Sequence, residues 1–396
     1  MKKRMCKIMA LAMTAAMVVP MAAQTTAFAA DDKEITYWNI AVESPDKDIV
    51  TAAVDKFNKE TKSGYTVNQV AIQNDTYKEK LVIAMSSGEC PDMYSSWSGG
   101  PMYEYIDSGF AQPIDDLLDQ SDIKDKLLDA AIEQGSYKGH VYAIPYMNVV
   151  LAGIFYNKDM FKQYGLEEPK TLADLENICA TLKENGITPF ALANGSKWTG
   201  SMYFMSLAAR YGGLEPFQNA VAGTGKFTDD CFIKAGEKIQ EWVKNGYFPD
   251  GVNSLSEDDG QAKQLMYQET AGMLLCGSWY TGTFQTDSEE FYQKIGWFPF
   301  PAIDDSDADP TIQIGTVGDQ FISFNCEGDK LAAAFECAAD HLSDEVEDMI
   351  YSTGKIAPVK DAGDHISDPV VKEIFDAAQE ASSIQLWYDQ YLPTSV

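Results

Sequence analysis

Apolar positions along this chain recur with two alternating periods. Residues 35–39 (ITYWN) form a short strand-like run, and after Ser44-Pro45-Asp46 the residues Ile49, Val50, Ala53, Val54 and Phe57 repeat at helical spacing. Gly64 ends that unit. Residues 66–72 then predict a second strand, Asn74-Asp75 the cap of a helix carrying Tyr77, Leu81, Val82 and Met85, and residues 92–95 a third strand. Strand, helix, strand, helix, strand at this spacing predicts an α/β domain on a parallel sheet. Farther on, the apolar runs 141–145 and 149–156 are nearly continuous, as strands buried on both faces are. Pro145 lacks the donor an uninterrupted ladder needs, so the chain must change course there. A strand that stops and resumes predicts a crossing between two sheets, with a ligand bound where the chain crosses.

The pattern restarts after residue 150. Thr171 with Asp174 has capping-box spacing, Leu172, Leu175, Ile178 and Leu182 form one helix face, and Asn185-Gly186 stops it. A strand near 189–193, helices near 203–211, 232–245 and 258–268, and a strand at 272–275 predict a second sheet. Residues 302–311 (AIDDSDADPT) read as an acidic surface loop, and 312–325 as strand-like, broken by Gly315 and Gly318. Helices are expected at 331–342, 344–352 and 368–381.

The length of 396 residues exceeds what one core organises, so two domains are expected. Lys2, Lys3, Arg4 and Lys7 precede an apolar run at 8–19 and a small-residue site at Ala27-Phe28-Ala29, which predicts a secretory signal peptide over 1–30 and an exported protein. Cys6 precedes the apolar run and is badly placed for lipid attachment. The formal charge is −30, and removing a leader with four basic and no acidic residues brings it to −34. Such a chain lacks the basic footprint that nucleic acid requires. The cysteines after the leader, Cys90, Cys179, Cys231, Cys276, Cys326 and Cys337, form no CxxC pair; they read as small buried hydrophobes, with disulfide pairing left open.

Signatures of catalysis are missing. His140, His341 and His365 stand in no metal-ligand spacing and read as surface residues. There is no GxSxG elbow, and Gly223-Thr224-Gly225-Lys226 is followed by Phe227 where a phosphate loop needs a hydroxyl. No catalytic residue, metal or cofactor is expected, although facing carboxylates of the glycosidase kind stay open. The tryptophans stand out instead. Trp38, Trp97, Trp198 and Trp279 follow predicted strands and Trp387 follows the last helix, each beside polar residues, whereas Trp242 and Trp297 sit in apolar settings and read as core. Ligands of open α/β sheets bind beyond the carboxyl ends of strands. Flat rings beside Asn, Asp, Gln and Ser suit a sugar, which offers C–H faces and a rim of hydroxyls.

Several segments also resemble the bacterial extracellular solute-binding proteins of carbohydrate-uptake ABC importers, the group that includes maltose-binding protein. The carriers are the leader, residues 35–39, Asp55-Lys56-Phe57-Asn58, Ser87-Gly88-Glu89-Cys90-Pro91-Asp92, residues 139–145 and above all the 155–161 run FYNKDMF. Gly165-Leu166, Pro169-Lys170-Thr171, Gly277-Ser278-Trp279 and Phe298-Pro299-Phe300-Pro301 add to them. The resemblance implies a two-lobe α/β fold of the type II periplasmic-binding-protein kind, each lobe a mostly parallel sheet flanked by helices, closing on ligand by a hinge. It implies lobe I at 31–147 and 316–353 and lobe II at 148–315 and 354–396. Crossings would lie near 146–149, 314–318 and 354–358. The ligand residues it implies are Asn39, Glu43, Asn74, Trp97, Asn148, Trp198, Trp279, Asp319, Trp387 and Asp389. The implied partners are an oligosaccharide and a membrane permease, with the protein acting as a monomer on the extracellular face of the membrane or in the periplasm. A lipid-attachment cysteine is missing, and relatives similar near 392–396 generally continue into further helix. Two other readings stand beside this one: a receptor for a polyamine, peptide or metal, and a secreted glycan-active enzyme.

Overall fold

The computed structural model describes residues 33–391, so the expected leader lies outside the described residues. Strands β1 (Glu34–Asn39), β2 (Thr66–Ala71) and β3 (Met93–Ser96) alternate with helices α1 (Asp46–Glu60) and α2 (Asn74–Ser87). A small hairpin of β4 (Ser136–Tyr137) and β5 (His140–Val141) leads into β6 (Ala143–Pro145). Then come β7 (Val150–Asn157), β8 (Thr188–Phe190), β9 (Ala271–Gly277), β10 (Ile295–Pro299), β11 (Gln313–Thr316), β12 (Phe321–Phe324) and β13 (Ile384–Gln385).

These strands build two main sheets. One has the order β2-β1-β3-β12-β6, and the other β13-β11-β7-β9-β8 with β10 also paired to β7. Between Pro145 and Val150, and again between Thr316 and Phe321, the chain leaves one sheet and joins the other. The sheets are mixed, not mostly parallel. Strands joined through covering helices are parallel, as β1 is to β2 and β3, and β8 to β9. Strands that arrive from the other sheet run back against their neighbours: β12 is antiparallel to β3 and β6, and β7 to β9, β10 and β11. Only a helical crossover obliges parallel pairing.

β7 is the spine of the second sheet, with all eight residues buried. At Gly153 the indole of Trp297 lies so close that a Cβ would meet it at 2.2 Å. The conspicuous Tyr-Asn-Lys-Asp that follows is architecture: Asn157 Oδ1 accepts from the backbone N–H groups of Asp159 (3.0 Å) and Met160 (3.1 Å), capping the Lys158–Tyr164 helix. The Thr171–Asp174 capping box forms as expected. Trp242 and Trp297 are core.

Other expectations are corrected. Asn74 and Asp75 do not cap α2 with their side chains; Gln73 occupies the cap position, and Asp75 reaches across to another segment. His341 is not a surface residue. It is fully buried, edge-on to Tyr37 (5.8 Å) and Tyr146 (5.0 Å), and burial lowers its pKa to about 4. All six cysteines among the described residues are free; Cys90 is half-buried and the others are buried.

Candidate functional site

One cleft opens where elements of the two sheets face each other. The first sheet contributes the end of β3, the start of α2 and the residues before β12; the second contributes the start of the Trp198–Gly212 helix, the residues after β9 and the segment after β13. Counted out to open solvent, its volume is about 950 Å³. Asn74, Trp97, Trp198, Trp279, Asp319, Trp387 and Asp389, all expected from the sequence, line it together. The other three do not. Asn39 is sealed, its Oδ1 accepting from the Ala41 N–H at 3.0 Å. Asn148 turns into a small pocket behind the cleft with Ser278, Thr281 and Lys355, while its backbone carbonyl accepts from the Asp319 N–H at 2.9 Å. Glu43 is exposed, 3.7 Å from Lys263. Trp38 packs into a satellite cluster with Ile72, Tyr77 and Leu81 and leaves four of the five strand-end indoles in the cleft.

Three of those indoles form a continuous wall. Trp279 lies 6.0 Å from Trp198 at 58°, and 6.1 Å from Trp387 at 65°. The ring of Trp279 lies against Gly277, where a Cβ would stand 2.1 Å from it. Trp97 occupies the other side, edge-on to Tyr77 at 5.8 Å, with Lys78 Nζ 4.7 Å above its ring. The rim is polar. Asp75 accepts from the Ser196 hydroxyl and from Trp198 Nε1 (3.3 Å), and its N–H donates to Asp258 Oδ2 at 2.9 Å. Lys78 pairs with Asp389 at 3.3 Å, and the buried Lys355 with Asp46. These contacts join α1 and α2 to segments on the other side of the cleft.

Three carboxylates in the cleft have no ion-pair partner among the described residues: Asp258, which accepts from the Asp75 N–H, and Asp319 and Glu257. Burial raises the pKa of Asp319 and of Glu257 to about 7. Tyr280 donates its hydroxyl proton to Glu257 Oε1, and Oε2 is buried without a partner among the described residues. Both groups therefore bind a proton more tightly folded than unfolded, where carboxylates titrate near 4. At these two sites the folded state holds more protons between about pH 4 and pH 7, so their contribution to stability falls as pH rises through that window, while the buried His341, lowered to about 4, works the other way. We expect the melting temperature of the ligand-free protein, followed from pH 5 to pH 7.5, to change less favourably in wild type than in Asp319→Asn. Equal slopes in wild type and variant, measured by differential scanning calorimetry, would refute this.

Sequence reasoning missed Lys78, Met202, Met205, Glu257, Asp258, Gln320 and Gln390, which also line the cleft. A signal for Lys78 existed, since it lies four residues after Asn74 and so on the same helix face. Met202 and Met205 are apolar positions on a helix and Glu257 stands beside Asp258 and Asp259, so nothing in the sequence marks them as cleft residues.

Residues 41–339 match the family described as bacterial extracellular solute-binding protein. The chain belongs to that family. Among similar proteins, this solute-binding protein is 31% identical over 228 residues to an uncharacterized ABC transporter extracellular-binding protein of Pyrococcus horikoshii, covering 57% of this chain and 50% of that one. It is 28% identical over 235 residues to the maltotriose-binding protein of Pyrococcus abyssi, covering 58% of this chain and 46% of the other. The chain thus spans about half the length of these curated relatives. A solved structure from work on xylan utilization by Caldanaerobius polysaccharolyticus superposes with a TM-score of 0.82 at 29% identity, covering 91% of each chain. That likeness bears out the two-lobe α/β fold. Among the described residues, no helix of the solute-binding protein is long and apolar enough to cross a membrane.

Proposed function

We propose that this solute-binding protein captures an oligosaccharide in the cleft and presents it to the membrane permease of an ABC importer. The observation that carries this reading is the wall of Trp198, Trp279 and Trp387 lining one cleft with carboxylates that have no ion-pair partner among the described residues, Asp319, Glu257 and Asp258. Indoles cover the C–H faces of pyranose rings, and carboxylate oxygens accept from hydroxyls. A relative named for maltotriose and a structural neighbour from work on xylan support the sugar class. The lobes would be 31–147 with 316–353 and 148–315 with 354–396, closing about the crossings so that the contacts Asp75 makes with Ser196 and Trp198 form on closure. The protein would act as an exported monomer, bind no nucleic acid, and release the sugar chemically unchanged.

A thermal-shift screen over xylo-, manno-, malto- and galacto-oligosaccharides, with spermidine as a control, tests the reading. At a hundred times Kd a ligand stabilises by about 2.7 kcal/mol, so at least one oligosaccharide should raise the melting temperature by several degrees. The cluster of indoles and unpaired carboxylates also suits an amine, and a shift with spermidine alone would replace sugar by polyamine. Sugar products on chromatography after incubation would make the protein an enzyme.

A further inference from the structure

A relay of buried hydroxyls ends on the floor of the cleft. Tyr146, which follows β6, is fully buried, and its hydroxyl lies 2.6 Å from Oε1 of Gln320, a cleft residue only 4% exposed. A carboxamide oxygen can only accept, so the phenol donates its one proton there. The phenol oxygen is also 2.9 Å from Ser95 Oγ. With the phenol proton already committed, Ser95 must be the donor in that bond. The direction of the relay is thereby fixed as Ser95 to Tyr146 to Gln320. Its start is held from α2, whose Tyr77 hydroxyl donates to the Ser95 carbonyl at 2.8 Å. Its end is held by the backbone, where the Tyr146 N–H donates to the Gln320 carbonyl at 3.1 Å.

An amide has two unlike ends, and binding one of them orients the other. With Oε1 taken by Tyr146, Gln320 turns Nε2 away; among the described residues that nitrogen has no partner, and it is not one of the buried polar atoms left without one. It therefore faces the cleft as an N–H donor. The unpaired groups nearest it in chemistry, the Asp319 and Glu257 carboxylates, are acceptors when ionised. We infer that Tyr146 is a positioning residue, which locks the Gln320 amide so that Nε2 is offered as a neutral donor to an acceptor oxygen of the bound sugar. This rests on the oligosaccharide reading. The relay then favours sugars that place a ring, glycosidic or hydroxyl oxygen at that point over analogues that place a C–H there. Burial pushes the Tyr146 phenol up to about 12, so the relay keeps its direction across the pH range in which Asp319 titrates.

The test compares Tyr146→Phe, Gln320→Met and the double variant by titration calorimetry, using whichever of xylotriose, mannotriose, maltotriose and raffinose binds wild type most tightly. Gln320→Met should weaken binding about tenfold and Tyr146→Phe about three- to tenfold, the loss of one well-placed hydrogen bond. The double variant should bind no worse than Gln320→Met, because Tyr146 acts through Gln320. A Tyr146→Phe protein with lower melting temperature but a Kd within twofold of wild type would reduce Tyr146 to a structural role and overturn the proposal, as would losses that multiply in the double variant. If none of the four sugars binds wild type, the oligosaccharide reading fails by itself. The positioning is then read from the Gln320 side-chain amide signals, identified by their absence in Gln320→Met. Restricted reorientation of the whole side-chain amide group in wild type, read from its NMR order parameter, that is lost in Tyr146→Phe supports the lock, and identical behaviour in both proteins overturns it.

Discussion

Replacing Trp279 with alanine should weaken oligosaccharide binding by about two orders of magnitude and leave the fold intact. Trp279 is the middle indole of the wall, touching Trp198 on one side and Trp387 on the other. It stands two residues after the buried strand β9, which anchors the backbone there, while the side chain is partly exposed and lines the cleft. An indole face covering a sugar ring withdraws roughly 100 Å² of apolar surface from water, worth about 2.5 kcal/mol at about 25 cal/mol per Å². That converts to a factor of about 70 in Kd. Removal also deprives Trp198 and Trp387 of the neighbour that holds their angles. Trp387 is a less clean target, because it is 6% exposed and packs in the main core. Titration calorimetry with the tightest oligosaccharide of the screen decides the matter, with circular dichroism as the control on folding. A loss below threefold would move the sugar away from the wall, and partial recovery in Trp279→Phe would show that ring area carries the effect.

What the sequence showed of this molecule follows from the range of the physics involved. Elements governed by local rules were legible: α1 from its helical period, the Thr171–Asp174 box from its spacing, and β7 from an apolar run too continuous for a half-exposed strand. Strand direction was not legible, because it depends on which sheet the chain has just left. That is why β12 and β7 run antiparallel in sheets expected to be mostly parallel. Within the cleft, indoles at strand ends gave themselves away, since a large ring there has no core to fill. Glu257 did not. Its environment is made by Tyr280, twenty-three residues away, and nothing in the acidic run around it distinguishes a desolvated carboxylate from a solvated one. His341 was misread for a related reason: its burial is created by Tyr37 and Tyr146, which come from different segments of the first sheet.

Arg210 is the extreme case of a residue silent in sequence, and Arg210→Met should destabilise the protein by about 3 kcal/mol or more, the cost of stranding three buried carbonyls. It lies on the Trp198–Gly212 helix and is 3% exposed, with no carboxylate bonded to it among the described residues. Its guanidinium instead donates to backbone carbonyls: Nε to Phe300 (3.1 Å) and Pro301 (3.2 Å), Nη2 to Phe300 (2.8 Å), and Nη1 to Ile312 (2.6 Å). These acceptors bracket the acidic 302–311 loop, so one side chain ties both ends of that loop to a helix. Burial lowers its pKa to about 10, which leaves it charged at neutral pH. Methionine fills much of the volume and offers no donor, so the carbonyls lose partners that water cannot readily replace. Lysine keeps the charge but lacks the planar fork that spans three acceptors, and Arg210→Lys should recover only part of the loss. The other end of the same helix carries Trp198, Ser201, Met202 and Met205 into the cleft, so a loosened anchor should also raise the Kd for sugar, by less than Trp279→Ala does. Urea unfolding of wild type, Arg210→Met and Arg210→Lys checks the order. If Arg210→Met stays within 1 kcal/mol of wild type, the carbonyls have found other donors and the guanidinium is not the clasp of that loop.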